Sequence, residues 1–154
     1  MKTGSTAKVR LAAKGKVDEA IAEFRAALEV DPASAKSHRN LANALASARR
    51  FDEAIDHFRR SARLDPADES AHYDLGVLLL EIDRLEEAIA EFRAVLKVNP
   101  ASVEAHNNLG TALGKQGRLD EAINQFQQAL RIQPGFADAQ RNLATVQDLR
   151  HRSR

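Results

Sequence analysis

The chain has no cysteine, no tryptophan, one tyrosine and only four prolines among its 154 residues. Without cysteine there can be no disulfide, no thiolate metal ligand, no redox switch and no cysteine nucleophile. Aromatic residues make up 5%, so a core has to be assembled from Ala, Leu, Ile, Val and Phe. The longest unbroken apolar run is Val77 to Leu80, far below the roughly 20 residues needed to span a bilayer. No apolar stretch of the signal-peptide type follows Met1-Lys2-Thr3-Gly4-Ser5. The chain is therefore expected to be soluble, with the cytoplasm as its expected compartment. Neither sign of charge dominates: the formal net charge of +1 provides no global field for nucleic acid or an anionic membrane, and neither is expected as a partner. There is no GxSxG, no Gly-rich phosphate loop and no HExxH. Nothing brings together a nucleophile, a base and oxyanion donors. No catalytic residue and no cofactor are expected, and the chain is read as a protein that is not an enzyme.

What the sequence does contain is a period. The prolines stand at Pro32, Pro66, Pro100 and Pro134, 34 residues apart each time. A fixed spacing of this size marks a repeat architecture. It divides the chain into blocks 1–34, 35–68, 69–102 and 103–136, with a half-block from 137 that is expected to be a capping helix over 137–150. The columns agree. Ala20, Ala54, Ala88 and Ala122 align, as do Ile21, Ile55, Ile89 and Ile123 and then Phe24, Phe58, Phe92 and Phe126. Leu41, Leu75, Leu109 and Leu143 form another column, each followed by a small residue: Ala42, Gly76, Gly110 and Ala144.

Each block reads as two helices. The second opens on an acidic pair, Asp18-Glu19, Asp52-Glu53, Glu86-Glu87 or Asp120-Glu121, where the helix dipole and unpaired amides favour negative charge. These pairs are read as helix-start signals rather than as general acid and base, which would need a shared cleft and divergent environments. Each second helix is expected to stop before its proline, which cannot donate to the ladder and turns the preceding residue away from helix. Small residues beside Phe on one helical face allow helices to approach within the usual 8–10 Å and interdigitate. No helix pair buries that face alone, so the core has to come from stacking of blocks. The ends are less regular. Block one has Ala7-Lys8 where a Leu-Gly pair is expected, so its first helix should fit poorly and fray. In the half-block, Ala139, Leu143, Val146 and Leu149 share a side suited to covering the last apolar face. Arg150-His151-Arg152-Ser153-Arg154 is expected to be a frayed, solvated tail.

The 34-residue period, with its small-residue, Phe and Pro columns in this order, resembles the tetratricopeptide repeat family over nearly the whole chain. The run His106-Asn107-Asn108-Leu109-Gly110, continued by Gly117-Arg118-Leu119-Asp120-Glu121-Ala122 and Pro134, is close to the family pattern. His38, His72 and His106 stand where the family often has Trp, and Leu45, Leu79 and Leu113 where it often has Tyr. The resemblance implies an all-α fold: a right-handed α–α superhelix, or solenoid, of four 34-residue helix-turn-helix repeats plus a C-terminal capping helix. It also implies a concave face lined by the first helix of each block. Mapped onto this sequence, that face takes Lys36, Arg39, Asn40 and Asn43 from block two, and Tyr73, Asp74 and Val77 from block three. Block four contributes Glu104, Asn107, Asn108 and Thr111, and the last helix Arg141 and Asn142. Glu81, Lys115 and Thr145 map to it as well.

One column on this face stands out. Asn40, Asn108 and Asn142 precede the repeat leucine, with Asp74 in the same place in block three. A carboxamide both donates and accepts, so it can bond a peptide backbone at N–H and C=O, and asparagine is a mediocre helix former. The column resembles the asparagine ladder of the O-GlcNAc transferase repeat domain, which grips extended peptides, and it is equally readable as a common consensus residue of the family. Asp74 interrupts it with a group that only accepts when ionised. The carboxylate clamp by which some relatives hold acidic chaperone C-termini is not matched. Arg39 and Asn43 fit it, but Asp74 stands where Asn is needed, and Glu104 and Asn108 stand where basic residues are needed. Starting one block earlier fails on Ser5, Val9, Ser70 and Asp74.

The histidine column raises the question of a metal. His38, His72 and His106 recur once per repeat, on helices some 8–10 Å or more apart, whereas zinc ligands lie about 2.0–2.1 Å from one ion. They are read as packing residues, and no metal site is expected. The expected function is a non-catalytic protein-protein interaction module with a peptide or partner segment in the concave groove. Asp74, Glu81 and Glu104 favour a partner that is neutral or basic at its centre, while Lys36, Arg39 and Arg141 suit acidic residues at its ends. The alternatives are self-assembly through the terminal helices, giving a homo-oligomer, and a repeat domain belonging to a larger enzyme.

Overall fold

A computed structural model describes the backbone of residues 3–152 and the side chains of residues 15–152. Over these residues the chain is all-α: α1 (Thr3–Val30), α2 (Ala35–Ser47), α3 (Phe51–Leu64), α4 (Glu69–Glu81), α5 (Leu85–Val98), α6 (Val103–Lys115), α7 (Leu119–Ile132) and α8 (Ala137–Arg152). Two compact units divide within α4, at Met1–Ala71 and His72–Arg154.

The connections explain why the helices fall where they do. Each of α2, α4 and α6 closes on a residue with left-handed backbone, Arg49 at φ 60°, Asp83 at φ 62° and Gly117 at φ 77°. The next amide then reaches back five residues: Arg50 N–H to the Leu45 carbonyl at 2.9 Å, Arg84 to Leu79 at 2.8 Å, and Arg118 to Leu113 at 3.0 Å. This is the Schellman closure of a helix C-terminus. The same arginines begin α3, α5 and α7, and each guanidinium makes a two-pronged bond to the glutamate three residues on, Glu53, Glu87 or Glu121. The acidic pairs do sit in the first turns of these helices. The helices before the prolines end at Val30, Leu64, Val98 and Ile132. Asp31, Asp65 and Asn99 then accept from the amide two residues on, at 3.1, 3.2 and 3.2 Å, which is an Asx turn around each proline. Ser34 and Ser102 cap α2 and α6.

Block one departs from the two-helix expectation. α1 runs without a break from Thr3 to Val30, through Gly15, the column-mate of the three left-handed residues. Glycine inside a helix costs only about 1 kcal/mol against alanine, and its neighbours Ala12, Ala13, Lys14 and Lys16 are good helix formers. The hairpin turn needs two helices packed together to outweigh continuation of one. The side chains of Ser5, Ala7, Lys8 and Val9 lie outside the described residues. The consequence shows in the burial. Ala54, Ala88 and Ala122 are fully buried and Phe58, Phe92 and Phe126 nearly so, whereas Ala20 and Phe24 are only half-buried.

In the first unit the core holds Ile21, Leu41, Leu45, Ile55 and Phe58, and buried Ser61 donates to the Ala35 carbonyl at 2.9 Å. In the second, α5, α6, α7 and α8 pack in succession around Leu79, Ile89, Phe92, Leu113 and Phe126. Gly76 and Gly110 lie directly against the rings of Phe92 and Phe126: a Cβ added at either would fall 2.8 and 2.7 Å from the ring. On α8, Ala139 and Val146 are buried, Leu143 is half-buried and Leu149 stays open. The basic tail is more ordered than expected. Arg150 lies in α8 and donates to Asp120 at 2.9 Å, His151 and Arg152 are exposed, and Ser153 and Arg154 lie outside the described residues. Among the described residues, no helix is long and apolar enough to cross a membrane.

Candidate functional site on the first helices

In the second unit, the polar residues of α4, α6 and α8 form one relay. Asn142 Nδ2 donates to Asn107 Oδ1 at 3.0 Å, Asn107 Nδ2 donates to Asn108 Oδ1 at 3.3 Å, and Asn108 Nδ2 donates to the Tyr73 hydroxyl at 3.1 Å. Tyr73 is set edge-on to the buried Phe92, with ring centroids 6.1 Å apart. Asn107 is buried while Tyr73, Asn108 and Asn142 are half-buried. Neighbouring positions on a helix point about 100° apart, and an asparagine is too short to reach back out as an arginine would. Asn107 is thus a strut that holds Asn108 on one side and Asn142 on the other. The bonds fix the carboxamide orientations and leave further donor and acceptor capacity on Asn108 and Asn142.

The electrostatics of this face are acidic near its tyrosine. Burial pushes the Tyr73 hydroxyl above its ordinary range, the bond from Asn108 works in the opposite direction, and the carboxylates of Glu104 and Asp74 push it further up. Glu104 and Val77 are exposed, and Asp74 is half-buried. Thr111 is half-buried, and its hydroxyl is turned back to the Asn107 carbonyl at 3.0 Å. Arg141 is exposed and paired with Asp138.

In the first unit, Lys36 and Asn43 are exposed on α2, and Arg39 and Asn40 are half-buried. Arg39 Nε stands 3.9 Å from Asp68 Oδ2. This is a charge contact rather than a hydrogen bond, so the guanidinium retains capacity for another anion.

The histidine column has partners that sequence spacing had not revealed. His38 is buried; its Nε2 lies 3.1 Å from the Pro32 carbonyl and its Nδ1 lies 2.8 Å from Nδ1 of His57. A carbonyl only accepts, so Nε2 carries the hydrogen of neutral His38 and the His57 Nδ1–H donates. His106 repeats the bond to Pro100, and Gln140 in the same column donates to the Pro134 carbonyl at 2.9 Å. The partner 19 residues on is Glu91 for His72 and Gln125 for His106. Among the described residues, no three His, Cys, Asp or Glu side chains are placed to hold a metal ion.

Two cavities accompany these features. One, of about 340 Å³ in the first unit, is bordered by Arg25, Pro32, His38, His57 and Arg60. The other, of about 230 Å³, opens between α6 and α8 in the second unit. The face mapped from the sequence contains Thr111 and Asn142 at its edge, but its apolar floor was not anticipated. The signal was a column break, Gly114 where the earlier blocks have Ala46 and Leu80.

Helix pairs of one length, one closing turn and one set of contacts define a helical-repeat protein, with its variable polar residues on the first helix of each pair. The profile of the tetratricopeptide repeat matches residues 10–69, 73–135 and 108–150, and the chain belongs to that family. A crystal structure of MamA is similar, at 23% identity and TM-score 0.83, over 98% of this chain and 86% of that one. YrrB, described as a TPR protein with an unusual peptide-binding site, is 26% identical with TM-score 0.77, over 92% of this chain and 73% of its own. The first TPR of Spaghetti (RPAP3), bound to the HSP90 peptide SRMEEVD, is 18% identical with TM-score 0.71, over 75% of this chain and 91% of that one. A sequence search of curated proteins finds no match.

Proposed function

We propose that the chain is a non-catalytic interaction module that holds an extended segment of a partner protein along the face of its first helices. The observation that carries the reading is the relay Tyr73–Asn108–Asn107–Asn142. It spans three successive first helices, uses one buried amide to orient two half-exposed ones, and leaves those two able to bond a peptide backbone at both N–H and C=O. Preorganisation of this kind lowers the ordering cost of binding. A network serving stability alone would have no need of amides at the surface, where water satisfies them equally well.

Family membership supports an interaction role, and solved relatives of the same fold include one with a peptide-binding site and one holding an HSP90 peptide. The clamp for an acidic C-terminus is not the mode proposed. Asp74, Glu81 and Glu104 on α4 and α6 would repel an acidic centre, so the preferred segment is neutral or basic there. Within the first unit, Lys36 and Arg39 on α2 suit an acidic residue. The test is random-peptide display on the wild-type chain and on the Asn40→Ala/Asn108→Ala double variant, with solution mass followed in parallel. Neutral or basic peptides are expected to enrich on the wild type and to be lost on the variant. No enrichment, together with a mass that rises with concentration, would replace this reading by self-assembly.

A further inference from the structure

We infer that the cavity between α6 and α8 is a pocket for one large apolar side chain, of leucine to phenylalanine size, on the bound partner segment. The inference rests on the groove reading above and adds the chemistry that would select the segment.

The pocket is lined on α6 by a residue without a side chain. Gly114 occupies the column of Ala46 and Leu80. A Cβ there would meet Val146 Cγ2 at 3.4 Å and Ala122 Cβ at 3.8 Å, so a methyl fits and a longer side chain would have to enter the cavity. Val146 and Phe126 wall it from α8 and α7, and Leu149, 46% exposed, stands at its mouth. A volume of about 230 Å³ exceeds the roughly 150 Å³ of an apolar cavity that accepts benzene.

The polar groups on the rim each have a partner within the chain, and Asn142 alone has a further role, towards a backbone in the groove. The Thr111 and Thr145 hydroxyls donate to the carbonyls of Asn107 and Arg141, at 3.0 and 2.9 Å. Asn142 Nδ2 donates to Asn107, and Lys115 Nζ donates to Asp83 at 3.0 Å. What the cavity still offers an entering group is mostly apolar surface, and a polar or charged anchor would lose water without full replacement. Asn142 belongs both to this rim and to the amide relay, so a backbone held by the relay would deliver its side chain to the pocket. The pocket is therefore continuous with the proposed groove.

The experiment uses peptides enriched by display on the full wild-type chain. Aligned sequences are expected to share one position held by Leu, Ile, Met or Phe. A synthetic peptide with Ala at that position should bind wild type about 10- to 100-fold more weakly, the worth of burying such a side chain. On Gly114→Leu, which places a side chain of leucine size in the pocket, the parent and Ala peptides should bind equally weakly. Leu149→Lys, an exposed change at the mouth that leaves the core untouched, should give the same loss and covers the case in which Gly114→Leu misfolds. Enriched peptides with no apolar position, or full affinity on both variants, would overturn the pocket while leaving the groove reading intact. No enriched peptide at all would remove the groove reading and the pocket with it. A dimer of the free chain that Leu149→Lys dissolves would assign the pocket to a second copy and overturn the proposal.

Discussion

Gly110 and Gly114 lie one turn apart on α6, and the same substitution at each should act in opposite directions. A Cβ at Gly110 would fall 2.7 Å from Phe126 Cε1 and 2.9 Å from Cδ1 and Cζ. Phe126 is 1% exposed, so its ring has no solvent to retreat into. Overpacking of this kind costs roughly 1–3 kcal/mol, and the gain in helix propensity from Gly to Ala returns about 1 kcal/mol. Ala42, fully buried in the same column of block two, shows that a methyl can be housed when the ring is seated to match, so the cost belongs in the lower half of that range. Gly110→Ala should therefore lose up to roughly 1 kcal/mol. At Gly114 the added methyl meets ordinary contacts at 3.4 and 3.8 Å, and Gly114→Ala should gain up to about 1 kcal/mol. The propensity term is common to both sites, so the gap of roughly 1–2 kcal/mol between the variants isolates the collision with Phe126. Urea unfolding followed by far-UV circular dichroism gives both midpoints, and equal slopes would show that compactness is unchanged. Coinciding midpoints, or a more stable Gly110→Ala, would refute the close approach of α6 to the Phe126 ring.

Ala88 is fully buried, and Ala88→Leu should cost roughly 1–3 kcal/mol by overpacking; an unchanged denaturation midpoint would show that the position is not a close helix contact. Stability should also depend on pH through His57. Burial first, then His38 on α2, Arg60 on its own helix and Arg25 on α1, lower its pKa from 6.5, with Asp56 opposing. A base whose folded pKa is depressed takes up fewer protons folded than unfolded as pH falls. Its contribution is thus complete above pH 6.5 and is lost progressively below that value. His57→Gln, which puts the block-four residue in its place, should flatten the acid limb of unfolding midpoint against pH, and an identical limb would disprove the assignment.

Much of the fold was legible because a repeat states its packing several times over. Phe58, Phe92 and Phe126 occupy one column and all are at most 1% exposed, so the period and the buried positions could be read from self-similarity. The turn chemistry was equally available in the columns Arg50, Arg84, Arg118 and Asp31, Asp65, Asn99, although its significance emerged only with the hydrogen bonds. The continuity of α1 was not legible. Gly15 stands in the turn column, and whether glycine closes a helix or rides inside one depends on tertiary contact that competes with about 1 kcal/mol of local preference. The candidate face could be written from the sequence as a set of positions, but its hydrogen-bonded arrangement could not. Asn107 and Asn108 are adjacent in sequence and differ in role because one points inward, and His57 could not be paired with His38 before the two helices were seen together.

The same logic separates scaffold from recognition. Where a column repeats, as in Ala54, Ala88 and Ala122, a helix contact explains it. Where a column changes on the first helices, packing does not require the change. The column of Arg39, Tyr73, Asn107 and Arg141 has a ring and a short amide in blocks three and four, between two long cations, and it is there that the relay forms. The column of Ala46, Leu80 and Gly114 loses its side chain in the block where α8 leaves a cavity. The open pocket at Gly114 leaves apolar surface facing solvent, burial that the fold itself does not gain. An apolar anchor on a partner would recover that burial at the moment of binding. The amides of α6 and α8 would then set the register of the segment that carries it.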